Sequence, residues 1–202
     1  MPVVYPLSLP TLRVTQYMIG IDRKIAATES AFTGQQQILE WPLGALWTLQ
    51  MSGFVVTRRE EMALHAFLDA LHDQIGTVLA GPKRCPRPVG TADIVSVTAT
   101  GAALSSSLSL AGLGANKTLV AGDMIQLGSG LSARLHRIVN PVTASGTGTA
   151  TVDVEPYLKT SYSSAPVVLA NPRGLFRLAS AAQPPQVTAA GVQFSLSFRE
   201  AL

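Results

Sequence analysis

Apolar side chains recur at every second position in the first and last parts of the chain, at helical spacing in one segment between, and in short glycine-broken runs through the middle. From position 12 to 21, Leu12, Val14, Gln16 and Met18 alternate loosely with Arg13, Thr15, Tyr17 and Ile19, which predicts a long strand with one buried face. A long connection from Ile21 to Ile38 follows, polar from Ala27 to Gly34 and carrying Phe32, and it reads as a loop. Ile38, Leu39 and Trp41, then the break at Pro42-Leu-Gly44, then Trp47, Leu49 and Met51 predict a β-hairpin rich in tryptophan. Thr57 and Glu60 have the spacing of a capping box, and Leu64, Phe67, Leu68, Leu71 and Ile75 fall on one face of the helix it opens. His65, Asp69 and His72 fall on the other face, Gly76 is the expected stop, and 77–80 is a short strand.

The segment 81–88 holds three prolines, no period and the densest basic group, Lys83, Arg84 and Arg87, and reads as a linker. Beyond it the composition shifts to Ser, Thr, Gly, Ala and Val. Strands are predicted at 94–98, 106–110, 124–127, 134–139, 149–154 and 167–169, separated by explicit glycine turns. Five or six short strands in that span predict a small barrel, closed so that no edge is left exposed. The cleanest strand is the last, where Val192, Phe194, Leu196 and Phe198 alternate with Gln193, Ser195, Ser197 and Arg199. A terminal strand of that quality needs a sheet to join, so the chain is expected to return to its first part.

Composition sharpens this picture. The chain has 202 residues, and its charged fraction is 13% where a soluble domain has about 25%. With a mean hydropathy of +0.30 it is not a disordered chain, and fifteen basic and twelve acidic side chains are few for a monomer's surface. Burial of surface against other subunits is the expected consequence. The longest apolar runs, about six residues, are far short of the ~20 of a spanning helix, so no membrane-spanning segment is predicted. Met1-Pro-Val-Val-Tyr-Pro6 lacks a basic region followed by an apolar one, so no secretory signal is expected and assembly in a cytoplasm is. One cysteine, Cys85, excludes an internal disulfide. The net charge of +3 is scattered and forms no basic stripe of the kind nucleic-acid binders carry.

Motifs for chemistry are incomplete. Gly112 and Gly114 before Lys117-Thr118 have Asn116 where a phosphate-binding loop has glycine, and a β-type segment follows where that loop opens a helix. His65, Asp69 and His72 could place three ligands on one side of a helix, but no fourth is identifiable and a solvated polar face explains them. His136 lies inside a strand, and no Gly-x-Ser-x-Gly elbow exists. Trp41, Trp47, Phe54 and Phe67 could stack on a sugar, yet at strand and helix spacing they read as core or subunit contacts. Tyr157 and Tyr162 are the barrel region's only aromatic residues. No enzyme, cofactor or metal is expected.

A set of segments carries a family likeness: Ala121-Gly-Asp-Met-Ile-Gln-Leu127, Leu135-His-Arg-Ile-Val139, Val152-Asp-Val-Glu-Pro156, Pro166-Val-Val168, Leu175-Phe-Arg-Leu178 and Phe194-Ser-Leu-Ser-Phe-Arg-Glu-Ala-Leu202, with Phe32-Thr-Gly34, Trp41, the capped helix and Gly76 upstream. In this order they resemble the distal tail proteins of long-tailed bacteriophages, of the type with an inserted OB-like domain. The resemblance implies a mainly β (α+β) fold. Residues 1–85 plus 168–202 would form a tail-tube-like β-sandwich with one flanking α-helix, and 90–165 an inserted small OB-like β-barrel. It implies a structural virion protein at the tail tip: a homo-hexamer whose ring connects the tail tube protein above to tail hub and baseplate proteins below, with DNA only in transit through its lumen. Such a lumen should avoid phosphate contacts, so the basic residues are expected to face elsewhere. Phe32, Gln35, Gln36 and Trp41, on the long connection and the adjoining segment, are the candidate subunit-interface residues. Two alternatives are a carbohydrate-binding host-attachment module and a tail-tube protein proper.

Overall fold

Four large apolar side chains on one face of the last strand require neighbours on both sides. In the computed structural model, which describes residues 3–92, 96–181, 185–188 and 191–202, they have them. The strands in chain order are β1 (Leu7–Ser8), β2 (Arg13–Asp22), β3 (Ile25–Glu29), β4 (Gln36–Glu40), β5 (Leu46–Val55), β6 (Val78–Ala80), β7 (Val97–Gly101), β8 (Ser107–Ala111), β9 (Thr118–Leu119), β10 (Met124–Leu127), β11 (Arg134–Ile138), β12 (Val142–Thr143), β13 (Thr149–Glu155), β14 (Tyr162–Val168), β15 (Gly174–Leu178), β16 (Gln186–Thr188) and β17 (Gly191–Glu200), with α1 (Arg58–Leu71) between β5 and β6. The first sheet runs β1-β6-β15-β17-β5-β2, with β16 against the start of β17. β17 pairs with β5 from Val192 opposite Val55 to Arg199 opposite Thr48. Among the described residues the protein is mainly β with one α-helix and a small closed barrel, the class the sequence predicts.

Alternation in β5 and β17 puts Trp47, Leu49, Met51 and Val55 beside Phe194, Leu196 and Phe198 on the buried face, which α1 covers with Leu64, Phe67 and Leu71. The helix starts as its sequence dictates. Thr57 Oγ1 accepts the Glu60 N–H at 3.3 Å, and the Glu60 carboxylate accepts the N–H groups of Thr57 and Val56. The backbone donor of Thr57, first among these, holds the Glu60 carboxyl below its ordinary range. Its end differs from expectation. His72 takes the left-handed conformation one residue past Leu71, and Gly76 donates back to the Leu71 carbonyl, so Ile75 lies beyond the helix and is exposed.

The barrel closes in the order β10-β11-β13-β8-β7-β14 around Ala99, Leu108, Leu110, Ile125, Leu127 and Val152. Its middle strands lie near the predicted segments, whereas the last, β14, begins at Tyr162, five residues before the expected 167–169. The first is displaced, running from Val97 to Gly101, while Ile94 and Val95 of the expected 94–98 lie outside the described residues. Chain enters and leaves the barrel side by side. Asn171 donates to the Pro86 carbonyl at 2.6 Å, and Gly81 passes so near Pro172 that a β-carbon there would meet its carbonyl oxygen at 1.9 Å. Asp123, buried, takes the N–H groups of Val89, Gly90 and Val120, tying the incoming segment to the barrel.

Sheet and barrel meet along a polar seam. Trp47, fully buried, donates its indole N–H to the Leu135 carbonyl at 2.6 Å and lies 5.1 Å beneath the Arg137 guanidinium. The Glu200 carboxylate at the end of β17 accepts both the Trp47 backbone N–H at 3.1 Å and the Lys159 ammonium at 2.8 Å. Arg134 reaches the Ala201 carbonyl at 2.7 Å, and Met124 and Leu135 of the barrel join the core of the sheet.

Two expectations for the region 21–51 are corrected. The polar connection from Ile21 to Ile38 is not a loop: β3 and β4 pair from Ile25 opposite Glu40 to Glu29 opposite Gln36. The tryptophan-rich hairpin does not form, because a 3-10 turn at Pro42–Gly44 redirects the chain and β5 pairs instead with β2 and β17. The reason lies in patterning. β5 alternates strictly and needs a central place, whereas Ile38 and Leu39 are adjacent and define no single face.

Removing the Glu200 carboxylate strands an ammonium and a backbone donor together. Glu200→Ala is expected to cost about 3–5 kcal/mol in urea unfolding followed by tryptophan fluorescence. The pair Lys159→Met/Glu200→Gln, which removes both charges and keeps an acceptor for Trp47, should recover more than half of that. Equal losses in the two variants would mean that the ion pair does not hold the seam.

Candidate assembly surface

The arm formed by β3 and β4 leaves the sheet at the end of β2 and is exposed along its whole length on both faces. Paired residues of an antiparallel hairpin share a face, so Ala26 and Leu39 stand on one side and Ala27 and Ile38 on the other. The tip is a turn in which Ser30 N–H donates to the Gln35 carbonyl and Gly34 N–H to the Ser30 carbonyl. At the root, Trp41 N–H donates to the Lys24 carbonyl at 3.3 Å. Arg23 there bridges two carboxylates, Glu40 of the arm at 3.3 Å and Glu155 of the barrel at 3.2 Å. Sheet, arm and barrel thus share one cation at the point where the arm departs.

The expected interface residues all lie on this arm. Phe32 is at its tip and 99% exposed, and Gln35 belongs to the turn. Gln36 opens β4, its side-chain amide donating to Glu29 at 3.3 Å. Trp41 stands at the root, 72% exposed. The structure does not bring Phe32 and Trp41 together, since five residues of strand, about 17 Å, separate the two ends. Reasoning from sequence missed Ile25, Leu39 and Leu43, which with Trp41 wall a groove of about 690 Å³ at the root, rimmed by Lys24 and Arg199. The available signal was the adjacent pair Ile38-Leu39, which no single buried face accommodates.

The sheet's other face is also open. Gln50, Gln193 and Ser195 are exposed there, Thr48 and Ser52 half-exposed, and a shallow groove of about 390 Å³ runs between Gln16, Ser52, Gln193 and Ser195. Met18 is exposed on this face opposite Gln50, and charge stands at both ends, where Arg199 lies opposite Arg177 and 3.7 Å from Asp22, and where Arg13, opposite Phe54, lies 3.9 Å from Glu60.

Other candidates lie elsewhere. His65 and Asp69 are exposed on the helix and His72 just past its end, and among the described residues no group of three or more His, Cys, Asp or Glu is placed to hold a metal. Trp47 and Phe67 are core residues, so no four-aromatic platform exists. Thr118 opens a strand, not a helix. The Tyr17 hydroxyl donates to the Gly81 carbonyl, and burial raises its pKa to about 12. His136 is 2% exposed, with Nδ1 2.9 Å from the Pro156 carbonyl and Nε2 without a hydrogen-bond partner among the described residues. Burial lowers its pKa to about 4, with Lys159 and Arg134 adding to the effect and the Pro156 carbonyl opposing it.

No protein-family model matches the chain, and no curated protein is significantly similar to it in sequence.

His136 makes the fold sensitive to acid. Above its unfolded pKa near 6.5 the imidazole is neutral in both states, and its contribution is fully present. Between pH 6.5 and about 4 only the unfolded chain takes up the proton. Stability should fall there by about 1.4 kcal/mol per pH unit, to a total of roughly 3 kcal/mol. In His136→Gln, urea unfolding across that range should lose one proton's worth of slope. An unchanged slope would show that another group sets the acid limb.

Proposed function

We propose that this chain is a structural adaptor of a phage tail tip. Six copies form a ring that joins the tail tube to the host-recognition hub and leaves a lumen through which DNA passes. The observation that carries this reading is the β3–β4 arm. It places Ile25, Phe32, Ile38, Leu39 and Trp41 in solvent, each more than half exposed, on a hairpin that its own chain leaves bare. A chain with 13% charged residues that also holds out an apolar arm is built for partners that cover it.

The open sheet face fits the second part of the reading. Its centre is amide and hydroxyl with one exposed thioether, Met18, wetted but uncharged, and a surface facing passing DNA must not collect phosphate contacts. The cations stand at its ends, Arg199 and Arg177 at one, the former beside Asp22, and Arg13 at the other, beside Glu60. The segment likeness to distal tail proteins names the assembly. In this reading no residue does covalent chemistry, and the virion tail tip is the site of action after assembly in the host cytoplasm.

Native mass spectrometry with negative-stain imaging of the same sample tests the proposal. The expected result is a closed ring of six copies of the 21.2 kDa chain, about 127 kDa, with an open centre. Long tubes would move the assignment to a tail-tube protein. A monomer that binds glycans would move it to a host-attachment module.

A further inference from the structure

Phe32 and the Trp41 groove lie at opposite ends of one hairpin, and each has what the other lacks. The tip presents a bare aromatic ring, 99% exposed, and the root presents a groove of about 690 Å³ walled by Ile25, Leu39, Trp41 and Leu43. About 17 Å of paired strand separates them, so an arm cannot fill its own groove. We propose that the tip of each arm, anchored by Phe32, docks in the Trp41 groove of a second copy, head to tail. The proposal rests on the ring reading and goes beyond it by naming the two surfaces that meet.

Three features select a second copy as the occupant. The rim carries Lys24 and Arg199, the latter shared with Asp22, while the paired strands and tip of the arm from Ile25 to Leu39 carry a single charge, Glu29. An approaching tip therefore brings a carboxylate to a cationic rim. A two-stranded hairpin bare on both faces is marginal in water, and docking supplies the cover that its own chain does not. A ring-shaped anchor entering an aliphatic and aromatic pocket is also the arrangement that concentrates binding energy in protein interfaces. Tip and groove are different patches of one chain, so the contact is heterologous and repeats around a ring instead of stopping at two copies.

The test uses the full chain with Cys85→Ser, carrying Ala31→Cys at the tip and Leu43→Cys in the groove together, so that Phe32 is kept and the two thiols are too far apart to meet within one copy. Mild oxidation is expected to give a ladder of covalent multimers up to the size of the closed ring, absent from either single variant and collapsed by reductant. Phe32→Ser should weaken assembly about ten-fold or more in sedimentation velocity. It should leave the melting temperature of the dilute monomer unchanged, because the ring is bare in its own chain. A covalent product that stops at two copies overturns the head-to-tail arrangement. Rings that form with undiminished affinity in Phe32→Ser and give no ladder overturn the contact and leave the ring standing. A wild-type chain that stays monomeric at its highest soluble concentration overturns both.

Discussion

A single carboxylate holds the two halves of this molecule in register. Glu200, at the last position of the last strand, accepts the backbone N–H of Trp47 from the neighbouring strand and the ammonium of Lys159 from the barrel, all with little contact with water. A buried charge must be matched or it costs several kcal/mol, so sheet and barrel cannot slide past one another without stranding one of the three groups. The Trp47 indole bound to Leu135 and the Arg134 side chain on Ala201 repeat the constraint a few ångströms away. Burial pulls the Lys159 pKa down and Glu200 pushes back, which is the electrostatic form of the same balance.

The arm is tied to the barrel as well as to the sheet it leaves. Its root is tied through Arg23 to Glu155 on the barrel as well as to Glu40 on the arm itself. Such exposed ion pairs contribute little to stability, but they set geometry where the chain turns outward. These contacts, with the Trp41 N–H on the Lys24 carbonyl, pre-organise the root of the arm. Pre-organisation of that kind lowers the entropy lost when a partner is engaged.

The molecule divides its polarity by surface. The core face of the sheet is apolar under α1, the opposite face is mostly amide and hydroxyl with Met18 exposed among them, and the arm and its root groove gather Ile25, Phe32, Ile38, Leu39, Trp41 and Leu43 in solvent. In the proposed ring that distribution has a use, since one face would remain wet while the arm would be covered by neighbours.

Much of this was legible in the chain. Strict alternation in the last strand, the capping box at Thr57 and the glycine turns of the barrel are local signals, and each led to the element found, because backbone period and turn chemistry act within a few residues. The exposed positions of Phe32, Gln35, Gln36 and Trp41 lie on the predicted stretch. Its form as a hairpin was not legible, because Ala26-Ala-Thr-Glu29 has weak strand preference and is ordered only by pairing with Gln36–Glu40. The groove beside Trp41, the partners of Glu200 and the burial of His136 were likewise hidden. They join residues as far apart as 47 and 200, or 23 and 155, and only the closed fold sets such separations, since a carboxylate or imidazole in sequence carries no record of the surface that will cover it.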